Sequence, residues 1–322
     1  MVTNQIWVGV DIGGTKTAIV LSSKPPEIDA RIEFPTLPEK GPERAIQLIN
    51  GGIETLLKRR RAKSQIAGIG VSCGGPLDRI RGVIESPPNL PTWDGVPIVS
   101  ILRRRFGVRC RLENDANAGA VAEHRYGAGR GCRNMVFLTM GTGLGAGLIL
   151  ENRLFRGSND LAGEVGHLRL TRGGPIGHGK HGSAEGWISG GGVAQVAAAM
   201  VTDAVRRGEK TTLAALLQAH GLLTARDVGL AAARKDAIAT RVVRATGERL
   251  GAVLAILVDL FNPDAIVIGG LALRLGDTLL APAREVLNQE ALSQPAAACR
   301  VLPAALGERI GDVAALCVAM GR

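Results

Sequence analysis

V-G-V-D-I-G-G-T-K-T-A-I-V, Val8 to Val20, and M-V-F-L-T-M-G-T-G-L-G-A-G-L-I-L, Met135 to Leu150, are two versions of one pattern. Each has an apolar run, a tight turn of Gly and Thr, and a second apolar run. A glycine turn lets the backbone approach a ligand and aim its N–H groups at it. Two ordinary hairpins with glycine turns remain one reading. The other is a nucleotide held between two related domains, with the hydroxyls of Thr15 and Thr142 at the two turn tips. The first turn is not a P-loop, because Thr15 stands between Gly14 and Lys16. The second matches G-x-G-x-x-A at Gly141, Gly143 and Ala146, but that fingerprint needs a helix after the turn. Here Gly147 to Leu150 stays apolar and Glu151-Asn152-Arg153 reads as the next turn, which predicts strand–turn–strand.

Strand and helix signals alternate outward from the first hairpin. Ala30 to Phe34 adds a third strand. Glu43 to Arg60 has helical periodicity, with Ala45, Ile46, Leu48, Ile49, Ile53, Leu56 and Leu57 on one broad face. Ile66 to Val71 is a strand ending in the loop Ser72-Cys73-Gly74-Gly75-Pro76. Val99 to Phe106 reads as a helix, Val108 to Leu112 as a strand, and Ala116 to Tyr126 as a helix that Asp115 can cap. The pattern restarts at Met135. Gly157 to Gly192 reads as irregular, Val193 to Leu260 as mainly helical, with the longest helix from about Asp236 to Phe261. Ala265 to Ile268 reads as a strand before Gly269-Gly270, and Asp312 to Met320 as a last helix opened by its own cap residue. This alternation argues for an α/β fold, and the repeated hairpin for two copies of one architecture, as in actin-like and ribonuclease-H-like domains.

The chain has 322 residues, enough for two domains, and is 46% hydrophobic with 44 glycines, so a sizeable core is expected. Only 3% is aromatic, too little for stacking platforms for single-stranded nucleic acid. The net charge of +10 is concentrated in runs such as Arg59-Arg60-Arg61 and Arg103-Arg104-Arg105, each at the end of a helix-like stretch where cations suit the helix dipole. A basic surface also attracts nucleotides and sugar phosphates. Cys73, Cys110, Cys132, Cys299 and Cys317 are odd in number and widely spaced, so they form neither a disulfide framework nor a sequential metal knuckle. With no signal core and no apolar run of transmembrane length, the expected location is the cytoplasm, with no membrane partner.

Three groups could carry chemistry. Asp115, where a strand meets a helix, is either an N-cap or a general base taking the proton of an attacking hydroxyl. Glu164 and His167 stand three residues apart in A-G-E-V-G-H. They are either a satisfied polar pair or, with Glu185, a set that binds the hydroxyls of a polar ligand. Asp11, before the first turn, suits Mg²⁺, which takes one or two carboxylates plus phosphates and water. Lys16 either neutralises phosphate charge or is an exposed turn lysine.

As a set, D-I-G-G-T-K at Asp11, G-V-S-C-G-G-P-L-D at Gly70, P-N-L at Pro88, L-E-N-D-A-N-A-G-A-V-A-E at Leu112, G-T-G-L-G-A-G at Gly141, A-G-E-V-G-H at Ala162 and N-P-D-A-I-V-I-G-G at Asn262 resemble the bacterial sugar kinases of the ROK family (repressor, open reading frame, kinase). Glucokinase is that family's best-known activity. The resemblance implies an α/β protein of two actin-like (ribonuclease-H-like) domains with an interdomain active-site cleft. Residues 1–117 would form the N-terminal domain, rejoined by the C-terminal helix at about 311–322, and residues 118–310 the larger C-terminal domain. It implies ATP-dependent phosphorylation of a hexose, glucose first, at its 6-hydroxyl, with Asp115 as base. N-acetylmannosamine, N-acetylglucosamine, fructose and allose are the alternative substrates. Gly75, Asn89, Asn114, Asp115, Glu164, His167 and Glu185 would bind sugar. Asp11, Gly13, Gly14, Thr15, Lys16, Thr142 and Gly143 would surround the phosphates, with Mg²⁺ at Asp11 through water, and Gly269 and Gly270 would lie near the adenosine. The expected partners are a hexose or hexosamine and further copies of the chain, as a dimer or tetramer.

One segment departs from the family. Many members bind structural zinc through the histidine of E-x-G-H and three cysteines in C-x-C-G-x-x-G-C-x-E. Here I-G-H-G-K-H-G-S-A-E, Ile176 to Glu185, puts Ile176, His178 and Ser183 at the cysteine positions. A closed zinc site needs four good donors; His167, His178 and His181 supply three at most, which argues against zinc. Family members that repress transcription carry an added N-terminal helix-turn-helix domain. Only ten residues precede Asp11, so a sugar-responsive regulator is the lesser expectation and nucleic acid is not an expected partner.

Overall fold

The computed structural model describes residues 5–59 and 65–321. The chain divides into two compact units, residues 1–127 with 308–322, and residues 128–307.

In the first unit the order is β1 (Gln5–Ile12), β2 (Lys16–Ser22), β3 (Ala30–Pro35), α1 (Pro42–Lys58), β4 (Gln65–Cys73), a small hairpin of β5 (Leu77–Asp78) and β6 (Val83–Ile84), α2 (Ile98–Phe106), β7 (Cys110–Asn114) and α3 (Asp115–Tyr126). The C-terminal helix Ile310–Met320 completes it. The sheet order is β3-β2-β1-β4-β7, antiparallel through β3, β2 and β1 and parallel from β1 to β4 and β7.

Side chains alternate across these strands, and the two faces are built differently. Val8, Val10, Ile69 and Val71 join Ala45, Ile49, Ile53 and Leu56 of α1 in one buried cluster. The residues that alternate with them, Gly9, Gly68 and Gly70, meet the C-terminal helix. A Cβ on Gly9 would stand 3.0 Å from Ala315 Cβ and 3.1 Å from Leu316 N. A Cβ on Gly70 would run into the Ala319 nitrogen and the Ala315 carbonyl. Backbone cannot swing aside as a side chain can, so Gly70→Val is expected to cost about 3 kcal/mol or more and to lower Tm by about 6 °C or more. Gly51→Ala, on the exposed side of α1 with nothing within 4 Å of the added carbon, is expected to gain up to about 1 kcal/mol. Thermal and urea unfolding of the two variants check both signs.

The second unit repeats the topology. Its elements are β8 (Met135–Met140), β9 (Leu144–Leu150), β10 (Arg153–Phe155), β11 (Ile176–Gly177), β12 (Lys180–His181), α4 (Ala184–Ile188), α5 (Gly190–Arg206), α6 (Thr212–His220), α7 (Ala225–Ala233), α8 (Ala237–Phe261), β13 (Ala265–Gly270), α9 (Leu271–Leu275), α10 (Asp277–Glu290), α11 (Ser293–Ala298) and β14 (Arg300–Pro303). The sheet order β10-β9-β8-β13-β14 mirrors the first, with the antiparallel hairpin on one side and two parallel strands on the other. A strand, not a helix, follows the second glycine turn. β9 then turns into β10 through Glu151 and Asn152, both left-handed at φ 54° and 62°.

Several sequence expectations shift. Helix α3 is capped by Asn114, whose side chain accepts from Ala116 N at 3.0 Å and Asn117 N at 3.2 Å; Asp115 is the first helical residue. The strand before it is Cys110–Asn114, two residues later than Val108 to Leu112, which brings Asn114 to the strand end. Asp312 caps nothing: the C-terminal helix starts at Ile310, and Asp312 lies in its first turn, paired with Arg31 at 2.9 Å. The division between units falls after Gly127, because α3 runs unbroken through residue 117. Gly157 to Gly192 contains β11, β12, α4 and a 3-10 turn at Val165–His167. Arg103, Arg104 and Arg105 do occupy the last turn of α2, and Arg105 pairs with Glu54; Arg60 and Arg61 lie outside the described residues. Among the described residues no helix is long and apolar enough to cross a membrane.

Candidate active site

The carboxyl ends of β1, β4 and β7 converge in the first unit, the position where open α/β sheets hold their ligands. The first turn follows β1. Gly13 N donates to Lys16 O at 3.0 Å and closes it. Thr36, at the end of β3, braces it: its hydroxyl donates to Gly13 O at 2.7 Å and lies 2.9 Å from the Thr17 hydroxyl. Gly14 is packed against Asn89, where a Cβ would come within 2.6 Å of Asn89 O. The Asn89 amide also faces Gly74 of the loop after β4, and the Asn114 amide nitrogen faces Gly75. Asn114 Oδ1 is occupied as the helix cap, so its nitrogen is the free end. Thr15 is exposed; Lys16 turns to Glu33, 2.9 Å away, and is 60% exposed.

Asp11 is the electrostatic centre of this region. The residue keeps partial solvent exposure, yet its carboxyl group is enclosed. Burial, then the nearby Asp115 and Asp312 carboxylates, push it up to about 7, against the Ser72 hydroxyl and Lys16. Gly311 of the C-terminal helix presses on Asp11 Oδ2, where a Cβ would not fit. Asp115 is exposed at the first turn of α3, and its Oδ1 accepts from Ala116 N at 2.8 Å. Burial first, then Asp115 and Asp11, push the Cys73 thiol well above the usual range, so it is an inert core group. Behind Asp115, buried Glu113 accepts from Asn114 N at 3.1 Å and Asn117 Nδ2 at 3.3 Å, holding the strand–helix junction.

The second unit gathers the other group. The Gly141–Gly143 turn, closed by Gly141 N to Gly143 O at 3.0 Å, docks on the start of α5. Gly190 N donates to Gly141 O at 2.8 Å and Gly191 N to Thr142 O at 3.2 Å. Thr142 stays exposed and Gly143 abuts Glu185, whose Oε2 accepts from Leu144 N at 3.1 Å. His178 Nε2 lies 3.2 Å from the same oxygen, and its ring stacks on His167 at 4.9 Å. Glu164 and His167 are exposed at the two ends of one 3-10 turn. Gly269 and Gly270 end β13 beside Thr139 and Met140. Gly270 has φ 69° and lies against Met140 O, so its glycine has a local structural reason as well.

Each unit therefore brings its sequence-predicted residues together: Asp11, Gly13, Gly14, Thr15, Gly75, Asn89, Asn114 and Asp115 in the first, and Thr142, Gly143, Glu164, His167 and Glu185 in the second. Lys16 is the departure, held by Glu33. Thr36 and Gly311 carry no signal in the sequence; Asp312 was read there only as a helix cap, and His178 only as a possible metal donor at a cysteine position. Thr36 and the C-terminal pair are distant in the chain and carry no motif. The docking of the second turn on α5 was signalled by Ser189-Gly190-Gly191-Gly192, a cap residue before three glycines; the Ser189 hydroxyl accepts from Gly192 N at 3.0 Å.

The sequence profile of the ROK family matches residues 7–321. The chain belongs to this family. It is 34% identical to a glucokinase of Halalkalibacterium halodurans over 97% of this chain and 94% of that protein. It is 28% identical to the xylose repressor of Caldicellulosiruptor bescii, over 88% of this chain and 70% of the repressor. Among solved structures, a ROK family glucokinase from Streptomyces griseus in complex with glucose and AMPPNP superposes with a TM-score of 0.81 at 29% identity, covering 98% of this chain and all of that one. The repeated sheet order is thus the actin-like, two-domain ROK architecture.

Proposed function

We propose that this chain is an ATP-dependent hexose kinase that transfers the γ-phosphoryl group to the 6-hydroxyl of a hexose, glucose first. The observation that carries this reading is the junction at β7 and α3. An exposed Asp115 carboxylate stands there near the first glycine turn and an enclosed Asp11, in a chain of the ROK family with glucokinase relatives. Asp115 takes the proton of the attacking hydroxyl. Asn89 and Asn114, through amides facing Gly74 and Gly75, and Glu164, His167 and Glu185 receive the other sugar hydroxyls. Thr15, Thr142 and the glycine-turn N–H groups other than those of Gly13 and Gly141, which close the turns, receive the phosphates, and Gly269 and Gly270 border the adenosine. Lys16, paired with Glu33, acts on the phosphates only if that exposed ion pair opens, which costs about 1 kcal/mol or less.

Asp11 fits Mg²⁺. Its carboxyl is pushed up to about 7 among carboxylates, an environment short of positive charge. A magnesium ion bound there would neutralise charge on the transferring phosphoryl group. The two-proton-acceptor arrangement of Asp11 and Asp115 then divides labour, one carboxylate for metal and one for the hydroxyl.

The test is ADP release coupled to absorbance over glucose, mannose, fructose, allose, N-acetylmannosamine and N-acetylglucosamine. Glucose is expected to give the highest kcat/KM. The similarity to a xylose repressor supports a second reading, a sugar-responsive DNA-binding protein. Specific retardation of operator DNA, with no sugar-dependent ADP, would favour it.

A further inference from the structure

The segment from Ile176 to Glu185 does not fit zinc. Ile176 is an exposed apolar side chain in β11. The Ser183 hydroxyl is buried, accepting from Gly186 N at 3.1 Å to cap α4 and donating to Gly177 O at 3.3 Å. Among the described residues no group of three His, Cys, Asp or Glu side chains is arranged to hold a metal ion.

Other contacts order the segment. β11 and β12 form a two-residue hairpin with His178 and Gly179 at its tip, both left-handed at φ 49° and 69°. That is the type I′ pattern whose twist matches the flanking strands. Gln195 of α5 clamps Ile176 from both sides, accepting from its N–H and donating to its carbonyl, each at 2.9 Å. Lys180 Nζ donates to His167 O at 2.5 Å. The tip projects the His178 ring between two residues of the proposed sugar site: it stacks on His167 and meets Glu185 Oε2 at 3.2 Å. Glu185 is only 14% exposed there. Its Oε2 is shared by His178 and Leu144 N, two contacts that restrain the carboxylate.

We propose that His178 is a positioning residue for sugar binding: it fixes the Glu185 carboxylate and the His167 ring, and it does so without a metal ion. This rests on Glu185 being a sugar ligand. An asparagine suits a left-handed tip as well as histidine does but cannot reach Glu185, whereas a glutamine can. His178→Asn is therefore expected to raise the sugar KM about tenfold or more and to leave the ATP KM within about twofold, with Tm unchanged. His178→Gln is expected to recover most of the loss. Glu185→Gln should raise the sugar KM as well, and adding His178→Asn to it should cost little more, as for two groups acting as one. The purified protein is expected to contain zinc far below stoichiometry, and dialysis against EDTA to leave the sugar KM unchanged.

A wild-type sugar KM in His178→Asn overturns the proposal, and so does bound stoichiometric zinc whose removal raises that KM. A wild-type sugar KM in Glu185→Gln overturns it too, while sugar-dependent ADP release would leave the kinase reading standing. If no sugar supports turnover, the kinase reading has failed. Calorimetric sugar titration of wild type and His178→Asn then decides the positioning role: weaker binding by the variant supports it, and equal or absent binding overturns it.

Discussion

Asp115→Asn is expected to lower kcat by about 10⁴-fold, near 5 kcal/mol of barrier, with the sugar KM changed by less than about threefold. The loss lies at the upper end for acid–base catalysis because the carboxylate also orients the hydroxyl it deprotonates. The fold should survive. Asn114, not Asp115, caps α3, and the first-turn charge that the variant removes is worth only about 0.3–1 kcal/mol. Circular dichroism and Tm close to wild type, with sugar binding retained in calorimetry, separate this outcome from unfolding. Turnover within tenfold of wild type would remove Asp115 as the base.

Asp11→Asn is expected to separate activity from stability. Its folded carboxyl titrates near 7, raised from 3.8, so between those values the folded chain holds a proton that the unfolded chain releases. Stability of the ligand-free protein therefore falls as pH rises from about 4 through about 7, and the penalty is complete above that. Asparagine has no such charge. The variant should match wild type near pH 4 and exceed it at pH 8 by on the order of 5 °C in Tm, while kcat/KM for MgATP falls by about 10²-fold or more. Added MgATP should raise the wild-type Tm at pH 8 and the variant's much less. Equal Tm at both pH values would show that the Asp11 carboxyl is not strained by burial. A gain in stability beside a loss of activity is the trade expected where a site keeps an uncompensated charge for a ligand.

Much of this site is legible in sequence because its pieces are local. A turn of Gly13, Gly14 and Thr15 between two apolar runs states its hairpin outright, and the repeat at Gly141 to Gly143 announces a second copy of the same sheet. Glu151-Asn152 could be read as a turn because the polar pair interrupts an apolar run and asparagine tolerates left-handed backbone. The cap of α3 was less legible: Asn114 and Asp115 are both good cap residues, and the strand end that decides between them is set by pairing with Ser72 and Cys73 of β4. Nothing local reveals that Gly311 presses on Asp11 or that Asp312 meets Arg31, since those contacts join the two ends of the first unit. His178 was visible only as a replaced cysteine. Its place at a hairpin tip is not legible in a segment so rich in glycine and histidine.

The most direct measurement of hexose kinase activity is phosphorus nuclear magnetic resonance of the 322-residue chain with MgATP and glucose. A hexose 6-phosphate resonance is expected to grow in step with ADP, one for one, and to be absent in Asp115→Asn. ADP formation that is independent of sugar, or no sugar phosphate from any hexose or N-acetylhexosamine, would contradict it.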